Sequence, residues 1–224
     1  MTSFALIFDL DGTLVDTAPD LLDALNVVLA SEGRRAVEHG DLRSLVGFGA
    51  RTLMAEAFKR TGDPADPARI ESLVGGFIAH YRSHIADSSR PYPGVEVTLA
   101  AFQAEGARMG VLTNKPHELT TLLISKLGLD KYFAAIFGQG SMPYTKPDPR
   151  IFADVVREAG GPGAGALMIG DSITDVKTAR AGGAPVILVS YGYTPEPART
   201  LGADAVVDDF KALPAEVRRL LGTG

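Results

Sequence analysis

Short apolar runs alternating with helical stretches predict an α/β fold: a doubly wound parallel sheet interrupted by an all-helical insertion. Two observations carry this expectation. Residues 4–8, 108–113 and 166–170 read as buried strands, and the stretches preceding the second and third of them read as helices. Roughly a hundred residues separate the first run from the second, far more than one crossover needs, and most of them carry helical patterning.

Taken in order, residues 4–8 stop at Asp9-Leu10-Asp11-Gly12-Thr13, an acidic, glycine-containing turn of the kind expected where a buried strand meets a loop. The insertion opens with Thr17 as the expected helix cap, Pro19 in the first turn and Asp20 near the positive end. Leu21, Leu22, Leu25, Val28 and Leu29 then recur at helical spacing until Gly33. Further helices are expected over about 41–46, 50–60 and 67–84, after which Pro91-Tyr92-Pro93-Gly94 restricts the chain on its return. A helix ending near Gly106, strands over 134–137, 185–189 and 205–207, and helices over 151–159 and 174–181 complete the alternation. Ligands of such a sheet are expected at the strand C-termini.

A chain of 224 residues that is 46% hydrophobic can bury a substantial core. Its formal net charge of −5 provides no broad cationic field, which disfavours nucleic acid and anionic lipid as partners. The absence of cysteine excludes disulfides, thiolate catalysis and sulfur-ligated metal, and the four histidines lack zinc-ligand spacing, so a metal here should prefer oxygen. His80, His84 and His117 read as surface residues. Neither a basic leader nor a membrane-length apolar segment is visible, and the expected location is cytoplasmic.

Asp9 and Asp11 are the chemical centre of this reading. Period-two alternation sends both carboxylates to one side and Leu10 to the other. A carboxylate can attack phosphorus once phosphate charge is neutralised, and a second carboxyl can protonate the leaving oxygen and then activate water. Asp9 is the expected nucleophile and Asp11 the expected acid/base, with the Thr13 hydroxyl steadying the pair.

The segment Asp9-Leu10-Asp11-Gly12-Thr13-Leu14-Val15-Asp16 resembles the first motif of the haloacid dehalogenase superfamily of phosphohydrolases, and three later segments agree in order. Thr113-Asn114-Lys115 resembles the second motif, whose threonine hydroxyl and following backbone amide hold the phosphoryl group. Lys146, in Lys146-Pro147-Asp148-Pro149, resembles the motif-three lysine, a point cation beside nucleophile and phosphate. Gly170-Asp171-Ser172-Ile173-Thr174-Asp175 resembles the fourth motif, which supplies carboxylates to Mg2+. The resemblance implies a magnesium site built from Asp9, the Asp11 main-chain carbonyl and Asp171, with Asp175 orienting a metal-bound water. It also implies a Rossmann-like core of residues 1–15 and 90–224 and a helical cap domain of residues 16–89.

Within the cap, Gly47-Phe48-Gly49-Ala50-Arg51 reads either as an ordinary interhelical turn or as a substrate-facing loop, with Arg51 reaching an anionic group. The chain most resembles the phosphoglycolate phosphatase subfamily. Sugar-phosphate phosphatases, including those for muramic acid 6-phosphate, and pyrophosphatases stand as alternatives, as do β-phosphoglucomutase-like mutases and a silent phosphate-binding module. A phosphonoacetaldehyde hydrolase would need a cap lysine near the site, and Lys59 sits deep in a predicted helix. The expected partner is a small phosphorylated metabolite, and the expected assembly a monomer or homodimer.

Overall fold

The structure, a computed structural model, describes residues 4–38 and 49–222. The first apolar run is strand β1 (Phe4–Phe8), and a two-residue strand, β2 (Val15–Asp16), leads into α1 (Ala18–Ser31). Helices α2 (Ala50–Thr61) and α3 (Pro67–Ser83) follow, the latter capped by the Asp66 carboxylate, which accepts from Arg69 N. The chain returns through β3 (Arg90–Pro91), antiparallel to β2, with Val15 opposite Pro91 and Asp16 opposite Arg90. The two crossings between sheet and helical segment are thus hydrogen-bonded to each other.

The remaining elements alternate as expected: α4 (Val95–Ala104), β4 (Arg108–Pro116), α5 (His117–Lys126), β5 (Ala135–Gln139), α6 (Pro149–Gly160), β6 (Gly165–Gly170), α7 (Ile173–Ala181), β7 (Val186–Val189), β8 (Ala205–Val207) and α8 (Leu213–Leu221). The sheet order is β5-β4-β1-β6-β7-β8, with every pair parallel. Because β1 lies inside the sheet, Ile7 is opposite Gly110 on one side and Met168 on the other.

The pleat divides β1 between two apolar layers. Leu6 and Phe8 join Leu99 of α4, Leu123 of α5 and Leu213 of α8, whereas Ala5 and Ile7 join Val155 of α6 and Ala179 of α7. The first layer also contains Leu22, Leu25, Met54, Phe77 and Tyr81, so the inserted helices share its apolar cluster. Within the insertion, α1 and α2 both pack on α3.

Three expectations need correction or restriction. Thr17 occupies the α1 N-cap position but makes no side-chain cap, and its buried Oγ1 has no partner among the described residues. The backbone N–H groups of Thr17 and Ala18 donate instead to the Tyr193 hydroxyl, at 2.7 and 3.0 Å, so a distant side chain does the capping. His117 is half-buried, with a buried Nδ1 lacking a partner among the described residues, because Gly138 lets β5 approach the His117 backbone where a Cβ would collide. The helix expected over 41–46 and the residues Gly47 and Phe48 lie outside the described residues.

Candidate active site

The C-terminal ends of β1, β4 and β6 converge, and most of the residues singled out from sequence lie there. Asp9 follows β1, its own N–H held by Ile169 O at 2.8 Å. Its carboxylate accepts from Leu10 N at 2.7 Å through Oδ1, and Lys146 Nζ lies 2.9 Å from Oδ2. Asp11 has a different cation: Lys115 Nζ donates to its Oδ1 at 3.0 Å. Gly12 turns the chain away with φ of 80°, and a Cβ there would strike Asp171 and Tyr193. The Thr13 hydroxyl donates to Asp171 Oδ1 at 3.3 Å, so it steadies the β6 acid rather than the Asp9/Asp11 pair.

Asp171 and Asp175 are held by their own loop. Asp171 Oδ2 accepts from Tyr193 N at 2.6 Å. Asp175 Oδ2 accepts from Asp171 N, Ser172 N and Ser172 Oγ, which makes it both a helix-capping residue for α7 and a brace for the β6–α7 turn. Its Oδ1 accepts from Lys146 Nζ at 2.7 Å, so Lys146 bridges Asp9 and Asp175. Gly170 and Gly192 complete the packing, since a Cβ on either would overlap Asp175 or Asp171.

Charge explains what this cluster is suited to hold. Asp9, Asp171 and Asp175 are buried, and one oxygen from each lies within 4.8 Å of the others. Three carboxylates face one ammonium, leaving two negative charges for a divalent cation to balance. Burial pushes the Asp9 carboxyl up to about 6, against the opposing pull of Lys146 and with Asp175 adding to the rise. Burial, then Asp175 and Asp9, raise Asp171 well above the ordinary carboxylate range. Burial disfavours the Lys146 charge, but Asp175 and Asp9 outweigh it and leave the ammonium more basic than usual. Both partners of the Asp9–Lys146 pair therefore rise, as expected where buried acids outnumber cations. An all-oxygen set of this charge suits a hard divalent ion.

Two adjoining cavities meet at this point. The smaller, about 210 Å³, is lined by Asp9, Asp11, Thr113, Lys146 and Asp171. The larger, about 570 Å³, opens between the inserted helices and the sheet and is lined by Arg51, Phe77, Tyr81 and Pro116. Asp11, Asn114, Lys115, Lys146 and Thr174 line both. The structure thus brings Asp9, Asp11, Thr113, Lys146, Asp171 and Asp175 together. Arg51 stands apart on the rim of the larger cavity, where its exposed guanidinium forms a bidentate pair with Glu71 at 2.5 and 2.8 Å. The Asn114 side chain is spent on the backbone of Lys146, donating to its O at 3.2 Å and accepting from its N at 3.0 Å. Asn114 therefore fixes the Lys146 loop.

Lys115, Tyr81 and Tyr193 were not singled out from sequence, yet each touches the site. Thr113 and Lys115 alternate to one side of β4 through a register irregularity between Leu112 and Pro116, and Lys115 N donates to Thr113 Oγ1 at 3.2 Å. Lys115 Nζ also donates to Tyr81 OH, from α3, at 2.6 Å. Burial disfavours the Lys115 charge, but Asp11 and Tyr81 more than compensate and raise its basicity. The period-two rule that paired Asp9 with Asp11 would have placed Lys115 beside Thr113, whereas nothing local marks Tyr81 or Tyr193. Lys59 pairs with Glu56 at 3.6 Å on the exposed side of α2 and lines neither cavity. No helix among the described residues is long and apolar enough to cross a membrane.

Residues 6–189 match the family model described as haloacid dehalogenase-like hydrolase. A phosphoglycolate phosphatase of Caulobacter vibrioides is 45% identical over 216 residues, spanning 96% of this chain and 91% of that protein. A phosphoglycolate phosphatase of Mesorhizobium japonicum is 43% identical over 216 residues, spanning 96% and 95%. The crystal structure of a predicted phosphoglycolate phosphatase from Haemophilus somnus 129PT has a TM-score of 0.85 and 28% identity, and the match covers 97% of this chain and 99% of that one.

Proposed function

The chain belongs to the haloacid dehalogenase-like hydrolases, and we propose that it is a magnesium-dependent phosphoglycolate phosphatase with Asp9 as nucleophile. It is a phosphatase; the identity of the metabolite, the metal and the residue roles are the proposal. One observation carries these roles: Asp9 and Asp11 line one cavity but rest on different cations, Lys146 and Lys115. Two carboxylates in separate environments can serve as nucleophile and acid/base without sharing one proton.

In this reading Asp9 attacks phosphorus as the bond to the ester oxygen breaks, giving an aspartyl-phosphate. Asp11 gives its proton to the departing oxygen. It then takes a proton from the water that attacks the same phosphorus, which releases inorganic phosphate and restores Asp9. Asp11 Oδ2 has no hydrogen bond among the described residues, while Oδ1 is held by Lys115, so one oxygen is fixed and the other available. Lys146 offsets charge on Asp9, and the Thr113 hydroxyl with the Asn114 backbone amide would hold the phosphoryl oxygens. Asp9, Asp171 and the Asp11 main-chain carbonyl would hold magnesium, with Asp175 behind them; when bound, the ion supplies charge neutralisation between phosphate and carboxylate.

Residues 16–89 act in this proposal as a cap over a core of residues 1–15 and 90–224. The β2–β3 pairing where the chain crosses out and back, and the cavity between the two parts, support that division. Closure over the larger cavity would exclude water and read the substrate beyond its phosphate, with Arg51 available after release from Glu71.

The test is inorganic phosphate release from phosphoglycolate, hexose phosphates, muramic acid 6-phosphate, nucleotides and pyrophosphate, with magnesium and with chelator, beside Asp9→Asn. Magnesium-dependent release greatest with phosphoglycolate and lost in the variant is the expected result. A different preferred compound would overturn the substrate assignment.

A further inference from the structure

The Lys115 ammonium carries three protons and uses two of them, on Asp11 Oδ1 at 3.0 Å and on Tyr81 OH at 2.6 Å. Its third proton has no acceptor among the described residues. Tyr81 OH accepts from Lys115, and its own proton likewise has no acceptor among the described residues. Both side chains are more than nine-tenths buried, Lys115 at 7% exposure and Tyr81 at 1%, and both line the larger cavity. Two unused donors, one of them cationic, thus sit side by side at a spacing comparable to that of the two oxygens of one carboxylate.

Their link to Asp11 sets what they can touch. Asp11 holds Lys115 with one oxygen and leaves the other for the ester oxygen of the substrate. A carboxylate one carbon from that ester oxygen falls beside the group bonded to Asp11, whereas a phosphate monoester lacking it leaves both donors buried and unmet. We infer that Lys115 and Tyr81 form the site for the substrate's carboxylate and select a 2-phospho-carboxylic acid over esters of simple alcohols. Lys115 belongs to the core strand β4 and Tyr81 to α3 of the inserted helices, so the recognition element is assembled only when the two parts are together. The inference rests on the phosphoglycolate reading and names the residues that enforce it.

The experiment compares kcat/KM for phosphoglycolate and for ethyl phosphate in the wild type, in Lys115→Met and in Tyr81→Phe, the last keeping the ring and losing only the hydroxyl. Removal of a donor to a charged group should lower the phosphoglycolate-to-ethyl-phosphate ratio by roughly 10- to 100-fold in Lys115→Met and by about 3- to 10-fold in Tyr81→Phe. Lys115→Met should also slow both esters by freeing Asp11, an effect that cancels in the ratio. Should Lys115→Met fail to fold, the Tyr81→Phe ratio decides. A wild-type preference for phosphoglycolate that survives unchanged in the variants would overturn the inference and leave Lys115 as a positioning residue for Asp11. A wild type that treats the two esters alike would instead overturn the substrate assignment itself, and this inference with it.

Discussion

The Tyr193 hydroxyl donates to Asp16 Oδ1 at 2.6 Å, directly where the chain leaves the sheet for the inserted helices. The same oxygen accepts the backbone N–H groups of Thr17 and Ala18, and the Tyr193 backbone N–H donates to Asp171 at the acidic cluster. One residue thus ties the start of α1 to the candidate metal site.

Tyr193→Phe should therefore leave two buried N–H groups and one carboxylate without their partner. A loss of about 2 kcal/mol is expected, with a fall in melting temperature of roughly 4–8 °C for a chain of this size. Denaturant unfolding of the variant checks it; an unchanged midpoint would mean that water replaces the hydroxyl at no cost.

Asp9→Asn should reduce phosphate release by at least roughly 10⁴-fold, because an amide is a poor nucleophile toward phosphorus, while far-UV circular dichroism stays native. Substantial residual turnover would assign the covalent step to another residue.

The raised Asp9 carboxyl predicts an unusual pH response of the metal-free protein. Between the ordinary value of 3.8 and the folded value of about 6, the folded state binds the proton that the unfolded chain has released. Stability should then decline as pH rises through this window, by up to about 3 kcal/mol for a two-unit shift, with Asp171 acting in the same direction. Thermal melts in chelator from pH 4 to 7 test it against Asp9→Asn, which should lose part of the slope. Addition of magnesium at pH 7 should restore the lost stability to the wild type.

Gly192→Ala should act on the acidic cluster without removing any polar group. A Cβ at this position overlaps the Asp171 side chain, so the carboxylate or the Tyr193 loop must shift. The variant is expected to need more magnesium for half-maximal activity, and Asp171→Ala should weaken the magnesium response further. A magnesium titration that overlays the wild type would show that the loop yields instead.

Much of the fold was legible because buried parallel strands are near-continuous apolar runs and the turns that end them are acidic or glycine-containing. Residues 4–8 and 205–207 emerged as β1 and β8 with the expected bounds. β4 ran past its expected end at Thr113 to Pro116, since pairing with β5 resumes beyond an irregularity that apolar patterning cannot register. The N-cap assigned to Thr17 failed for a related reason: a cap is any acceptor placed at the helix start, and here tertiary packing supplied the Tyr193 hydroxyl.

For the site, the sequence by itself determined that Asp9 and Asp11 follow β1 and that Asp171 and Asp175 follow β6, because strand ends in a parallel sheet share one edge and alternation assigns their side chains to a face, while motif resemblance marked Lys146 in the loop after β5. The tertiary structure decided how those charges are divided. Lys146 rests on Asp9 and Asp175, and Lys115 on Asp11, 104 residues away. It also brought Tyr81 from α3 and Tyr193 from the loop after β7 to the same place. These contacts depend on sheet order and on how the inserted helices pack against the sheet, which are global properties of the chain and leave no local pattern around the residues they join.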